Sequence, residues 1–162
     1  MNSKSVKHTN LKNKIHSGKV RDIYEIDEDK LLFVATDRIS AFDVIMEQTV
    51  PGKGIVLNNL SSFWFDFFNN YNTHYISKAQ DFDFSNTDYD EIIDVEILER
   101  STVVKKAERI DMECVVRGYI TGSAWNEYKS SNSVNFKPIM DNLLEAEKFK
   151  TPIFTPSTKA EE

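Results

Sequence analysis

One stretch leaves this polypeptide few ways to fold: between Met112 and Trp125 a strand-like run gives way, within a few residues, to an arginine, a Gly-Ser turn and a helix start. Met112 to Val116 mixes apolar and charged positions as a half-buried strand does. Arg117 is expected at the strand's exit, followed by Gly118 and then Thr121-Gly122-Ser123. Ala124 to Lys129 are good helix formers behind Ser123, a candidate capping residue. A guanidinium offers a rigid fork of donors suited to phosphate. The N–H groups and dipole at a helix N-terminus favour an anion as well. The same residues also allow a plainer reading, with Arg117 paired to a surface carboxylate and Gly122-Ser123 an ordinary loop.

Upstream, Lys14 to Ile26 reads as a strand pair or bent strand, Asp27-Glu28-Asp29 as a turn, and Lys30 to Thr36 as a second strand, a hairpin pattern. Gly18-Lys19 falls inside the first strand, where glycine marks a bulge or a close backbone approach. It is no Walker A motif, since the upstream glycine and following Ser/Thr are missing. A glycine hairpin laying Lys and Arg over phosphates is instead the protein-kinase style of nucleotide lid. Asp37 to Asp43 is expected as a loop with two readings, a site for an amine-bearing or polar ligand or a self-satisfied Asx turn and surface ion pair, the second weighing slightly more for Asp37 and Arg38. Leu57, Leu60, Trp64, Phe67, Phe68 and Tyr71 recur at helical spacing, so a helix should bury this aromatic face under the sheet. His74 to Ala79 and Thr102 to Ala107 read as strands, Asp90 to Leu98 as strand or short helix, and Gln80 to Asp90 as a loop anchored by Phe82 and Phe84. Asp141 to Phe149 reads as a short helix, Thr151 to Pro156 as extended, and residues 1–13 as loosely packed.

At 162 residues the chain is most simply one domain. The longest apolar run, Leu31 to Ala35, is far short of a membrane span, and the polar N-terminus lacks a signal-peptide core. Cys114, the single cysteine, cannot form an internal disulfide and is expected in the core, which suits a reducing cytoplasm. A net charge of −6 opposes nonspecific nucleic-acid binding. His16 and His74 have no partner at metal spacing, and no Ser/His/Asp or Cys/His nucleophile constellation stands out.

Four ordered stretches resemble one family. They are Gly18-Lys19-Val20-Arg21-Asp22-Ile23-Tyr24-Glu25, Ala35-Thr36-Asp37-Arg38-Ile39-Ser40-Ala41-Phe42-Asp43, Glu113-Cys114-Val115-Val116-Arg117-Gly118-Tyr119-Ile120-Thr121-Gly122-Ser123 and Pro152-Ile153-Phe154-Thr155-Pro156-Ser157-Thr158-Lys159-Ala160. Together they are similar to the SAICAR synthetases of purine biosynthesis. The resemblance implies an α+β fold in which residues 1–104 form a small antiparallel, kinase-like sheet packed with a helix, acting as an ATP lid. Residues 105–162 would begin a larger α+β half carrying the ribotide-phosphate site. It implies ATP contacts at Gly18, Lys19, Val20, Arg21, Lys105 and Glu113, with Lys106 an alternative to Lys105. Substrate contacts fall at Arg117, Ser123, Ser40 and Asp43. The implied reaction joins the carboxylate of CAIR to the amine of L-aspartate, with ATP and Mg²⁺, through an acyl phosphate. The family's later metal-binding stretch has no counterpart here, so the chain is expected to be an N-terminal portion with no metal ligands of its own. Two other classes fit the residues: a different ATP-dependent enzyme with a kinase-like small lobe, or a nonenzymatic nucleotide- or anion-binding module.

Overall fold

The hairpin pattern in the N-terminal part of the chain is realised as antiparallel sheet. In chain order the elements are β1 (Lys14–Ser17), β2 (Arg21–Glu25), β3 (Lys30–Ala35), β4 (Arg38–Ala41), β5 (Val44–Thr49), α1 (Lys53–Phe67), β6 (Tyr75–Lys78), α2 (Val95–Glu99) and β7 (Ser101–Lys105). They are followed by β8 (Met112–Tyr119), α3 (Gly122–Ser131), β9 (Ser133–Val134), β10 (Lys137–Pro138) and β11 (Lys148–Thr158). The computed structural model describes residues 5–42, 44–89, 94–139 and 142–158 of this α+β chain. Two compact units, Met1–Ala107 and Glu108–Glu162, replace the single domain that length suggests.

The first unit is a five-stranded antiparallel sheet in the order β1-β2-β3-β7-β6, with β4 and β5 forming a separate ribbon. Tyr24, Leu32, Val34 and Val103 point to one face and are fully buried, with Ala79 and Tyr89 beside them and Leu11, Phe82, Phe84, Ile97 and Leu98 packed around. That face is the apolar core. Tyr89 donates to the carbonyls of Lys12 (2.7 Å) and Glu25 (3.0 Å), and burial, with Tyr24, Asp88 and Glu25 nearby, pushes its phenol up to about 12. The described residues of the 1–13 segment, 5–13, include some tied down by hydrogen bonds. Val6 N–H donates to the Asp37 carboxylate (2.8 Å), and Thr9 is buried against Asp22.

The opposite face receives α1, but not by the aromatic stripe. Gly54, Asn58 and Ser62, spaced four apart, are the buried positions of the helix. A Cβ at Gly54 would lie 2.2 Å from the Ala35 carbonyl oxygen, so only glycine permits this approach. Asn58 donates to the Glu99 and Ser101 carbonyls and accepts from Thr102 (2.5 Å), satisfying backbone that a leucine could not. Leu57, Leu60, Trp64, Phe67, Phe68 and Tyr71 are exposed, the four aromatic rings contacting one another. The expected burial of this face is therefore reversed. Hydrogen bonding to backbone at the start of β7 and close backbone approach decided which side of the helix turned inward.

In the second unit β8 and β11 form a long antiparallel ribbon, with Thr155 opposite Val115 and Ile153 opposite Arg117. Ile120, Ala124, Tyr128, Val134, Leu143 and Phe149 make its core. Two expectations fail here. No helix forms over the described residues 142–149: Asn142 and Ala146 take φ near 64°, and Ile120 exchanges backbone hydrogen bonds with Ala146 and Glu147. Tertiary backbone pairing outweighs local helix propensity there. Cys114 is exposed rather than buried, since it shares the outward side of β8 with Met112 and Val116. Among the described residues no helix is long and apolar enough to cross a membrane.

Candidate functional site

Arg117 lies within β8, which runs on to Tyr119, rather than beyond its end. Alternation along the strand sends Val115 and Arg117 to the side facing α3, and the cap of that helix is Thr121, not Ser123. Gly122 opens the helix with φ +59°, a left-handed turn that any side chain would strain. The turn swings Ser123 back over the strand. Arg117 Nε donates to Thr155 Oγ1 (3.1 Å) and Nη2 to Ser123 Oγ (3.1 Å), and Thr155 Oγ1 donates onward to the Val115 carbonyl (3.2 Å). These groups wall a cavity of about 240 Å³ whose lining also includes Glu113, Glu127 and Ser157. Glu127 is held by the backbone N–H groups of Asn135 (3.1 Å) and Phe136 (3.2 Å). Among the described residues no carboxylate forms an ion pair with Arg117. Among the described residues its hydrogen-bond partners are two neutral hydroxyls. The Glu113 and Glu127 carboxylates line the same cavity without pairing with it, so the guanidinium stands beside an open cavity with no ion-pair partner among those residues. That arrangement suits an oxyanion.

Gly18, Lys19 and Val20 form the turn between β1 and β2, not a bulge inside a strand; Gly18 N–H donates to the Arg21 carbonyl (2.8 Å). Arg21 begins β2 and is exposed. Beneath the turn lies a buried ionic lattice. Asp22 pairs with Arg38 (2.8 Å) and accepts from Ser17 Oγ (2.6 Å) and from Thr9 Oγ1 (2.7 Å). Asp37 pairs with Arg100 (3.0 Å) and accepts from the N–H groups of Gly54 and Val6. The surface ion pair and Asx turn expected for Asp37 and Arg38 are thus two fully internal pairs, and Arg38 begins a strand. Burial alone would raise both carboxyls; the hydrogen bonds and arginines outweigh it and hold Asp22 well below, and Asp37 below, the usual carboxylate range. Burial, with Arg21 and Arg38 nearby, holds the Lys53 ammonium below its ordinary value against the pull of Asp37. Arg21 and Lys53 thus add positive charge at this end of the sheet, where Arg38 is already paired with Asp22.

Lys105 ends β7, its exposed side chain opposite Lys30, at the far end of the sheet from the Gly18–Val20 turn. Five residues of strand separate the two ends, roughly 16 Å. A ligand touching both must lie along the strands. Lys106 Nζ is bound to Glu25 (2.6 Å). Glu113, expected with the nucleotide, lines the Arg117 cavity. Ser40 sits half-buried on β4 opposite Ile45, and Asp43 lies outside the described residues.

A family model for SAICAR synthetase matches residues 14–162. The chain belongs to the SAICAR synthetase family. Among curated members, the phosphoribosylaminoimidazole-succinocarboxamide synthase of Komagataella pastoris is 50% identical over 153 residues, covering 91% of this chain and 50% of that protein. The Saccharomyces cerevisiae synthase is 49% identical over 150 residues, covering 90% of this chain and 49% of its own length. A solved structure described as S. cerevisiae SAICAR synthase complexed with SAICAR superposes with a TM-score of 0.84 at 46% identity, covering 97% of this chain and 55% of that one. A type-2 SAICAR synthetase described in complex with ADP shares the fold at 22% identity and a TM-score of 0.64. The chain spans about half the length of the curated family members it matches.

Sequence reading missed Asp22, Lys53 and Arg100, and treated Arg38 as surface. The ion pairs Asp22–Arg38 and Asp37–Arg100 join residues 16 and 63 positions apart, beyond any local motif. The only local hint was that Asp22 and Arg38 sit at inward positions beside apolar strand residues.

Proposed function

We propose that the protein carrying this chain is an ATP-dependent ligase that joins CAIR to L-aspartate, giving SAICAR, ADP and phosphate, in a cytoplasmic setting. The observation that carries this reading is the Arg117 cavity, with a guanidinium that has no ion-pair partner among the described residues and the Ser123 and Thr155 hydroxyls on one wall. Family membership supplies the substrates: a SAICAR synthase similar to this chain is described with SAICAR bound, and SAICAR carries a ribotide phosphate.

A carboxylate is a poor electrophile. ATP first transfers its γ-phosphoryl group to the CAIR carboxylate, forming an acyl phosphate and ADP. The aspartate amine then attacks the acyl carbon, phosphate leaves, and the amine proton is lost to solvent or base. In this scheme Arg117 and Ser123 hold the ribotide phosphate as an anchor remote from the reacting carboxyl. Lys19 and Arg21, on the turn and first residue of β2, lie against the ATP phosphates and offset charge during transfer. Lys105 marks the other end of the nucleotide. Ser40 and Asp43 are assigned to substrate on resemblance alone. Mg²⁺ is the metal such chemistry calls for, but among the described residues no group of three or more His, Cys, Asp or Glu side chains is arranged to hold one.

The test is CAIR binding by calorimetry to the protein and to Arg117→Ala. Affinity should fall about a hundredfold with the fold intact. Unchanged affinity in a folded variant would remove Arg117 from the site and the reading with it.

A further inference from the structure

Arg38 is 2% exposed and directs its guanidinium donors at three backbone carbonyls from two separate segments. Nη1 donates to the Lys7 carbonyl (2.8 Å), Nη2 to the Gly18 carbonyl (2.9 Å) and Nε to the Lys19 carbonyl (3.1 Å). Nη2 also meets Asp22 Oδ1 (2.8 Å), and Asp22 in turn takes the hydroxyls of Ser17 and Thr9. Ser17 ends β1 and Asp22 is the second residue of β2, so this carboxylate fastens both legs of the hairpin while Arg38 fastens its tip.

Two consecutive carbonyls on one guanidinium have a geometric consequence. In a planar trans peptide the N–H points opposite to the C=O of the same unit. Turning the Gly18 and Lys19 carbonyls inward therefore turns the Lys19 and Val20 N–H groups outward, away from Arg38. Successive N–H groups aimed the same way make a concavity suited to an anion. A lysine could not hold this arrangement, since it offers a point charge rather than a planar fork.

We infer that Arg38 is a positioning residue of the nucleotide site: from beneath the β1–β2 turn it orients the Lys19 and Val20 amides toward the ATP phosphates. The inference rests on the proposed placement of ATP phosphates at this turn. It assigns no contact between Arg38 and nucleotide.

The test measures ADP affinity and amide hydrogen exchange in the protein as its gene encodes it, for Arg38→Lys and for Lys19→Ala. With Arg38→Lys, ADP affinity should fall about tenfold and exchange at Lys19 and Val20 should quicken by at least about tenfold, while amides of Leu31–Ala35 and CAIR affinity stay unchanged. A merely structural role would move sheet amides and CAIR binding too. Unchanged ADP affinity in Arg38→Lys, alongside weakened affinity in Lys19→Ala, overturns the positioning role alone. Unchanged affinity in Lys19→Ala overturns the underlying phosphate placement. If Arg38→Lys fails to fold, the paired variant Arg38→Gln with Asp22→Asn removes both charges together and is read in the same way.

Discussion

Two arginines in this chain show how the same side chain serves opposite ends. Arg38 spends its donors on three backbone carbonyls and a buried carboxylate, and nothing of it faces outward. Arg117 is half-buried, touches two neutral hydroxyls, and leaves its charge at the wall of a cavity. A guanidinium in an ion pair shapes the chain; one without an ion-pair partner among the described residues awaits a ligand. The first unit is accordingly knitted by internal ion pairs, whereas the second presents an open ribbon and helix N-terminus.

Breaking an internal pair should produce the largest effect. Arg100→Ala leaves the Asp37 carboxylate buried without its partner, at 0% exposure for both side chains, and should lower unfolding stability by roughly 3–5 kcal/mol in urea titration. Arg117→Ala should by contrast leave stability within about 0.5 kcal/mol while phosphate-ester binding falls about a hundredfold. Comparable stability losses in the two variants would erase the contrast between them. Gly54→Ala comes next: its Cβ would meet the Ala35 carbonyl, and stability should drop by about 1–3 kcal/mol as α1 is pushed off the sheet.

Acid sharpens the same distinction. Asp22 and Asp37 titrate below their ordinary value of 3.8 in the folded state. Their contribution is therefore complete above that value and is lost as pH falls below it toward the folded pKa. Far-ultraviolet and near-ultraviolet melts between pH 5 and pH 2 should show the stability decline steepening below about pH 4, and Asp22→Asn should flatten it. An equally steep decline in the variant would deny the lattice this role. The smallest effect belongs to Phe67→Ala, at 63% exposure, which should cost this 162-residue chain less than about 1 kcal/mol, against about 3–5 for a core phenylalanine.

That last prediction marks where sequence reading stopped. The β2–β3 hairpin was legible because a first strand carrying Ile23 and Tyr24 is followed by the Asp27-Glu28-Asp29 turn and then by the apolar run Leu31 to Ala35. Helix α1 was legible as a helix but not as to its buried face. Hydrophobic stripes usually turn inward, yet here Gly54, Asn58 and Ser62 do, through hydrogen bonds to strand-end backbone that no periodicity encodes. Arg117 and Ser123 stand six residues apart in one strand–turn–helix unit, so local geometry could bring them together. Arg38 reaches residues 7, 18, 19 and 22, a set defined only once the N-terminal segment, the hairpin and β4 have assembled.

The most direct measurement is the arginine Nε–H spectrum of the ¹⁵N-labelled protein during titration with CAIR. Arg117 should shift with ligand concentration and Arg38 should stay in place. A shift at Arg38 with Arg117 unmoved would contradict the division of labour between them and move the phosphate site out of the second unit.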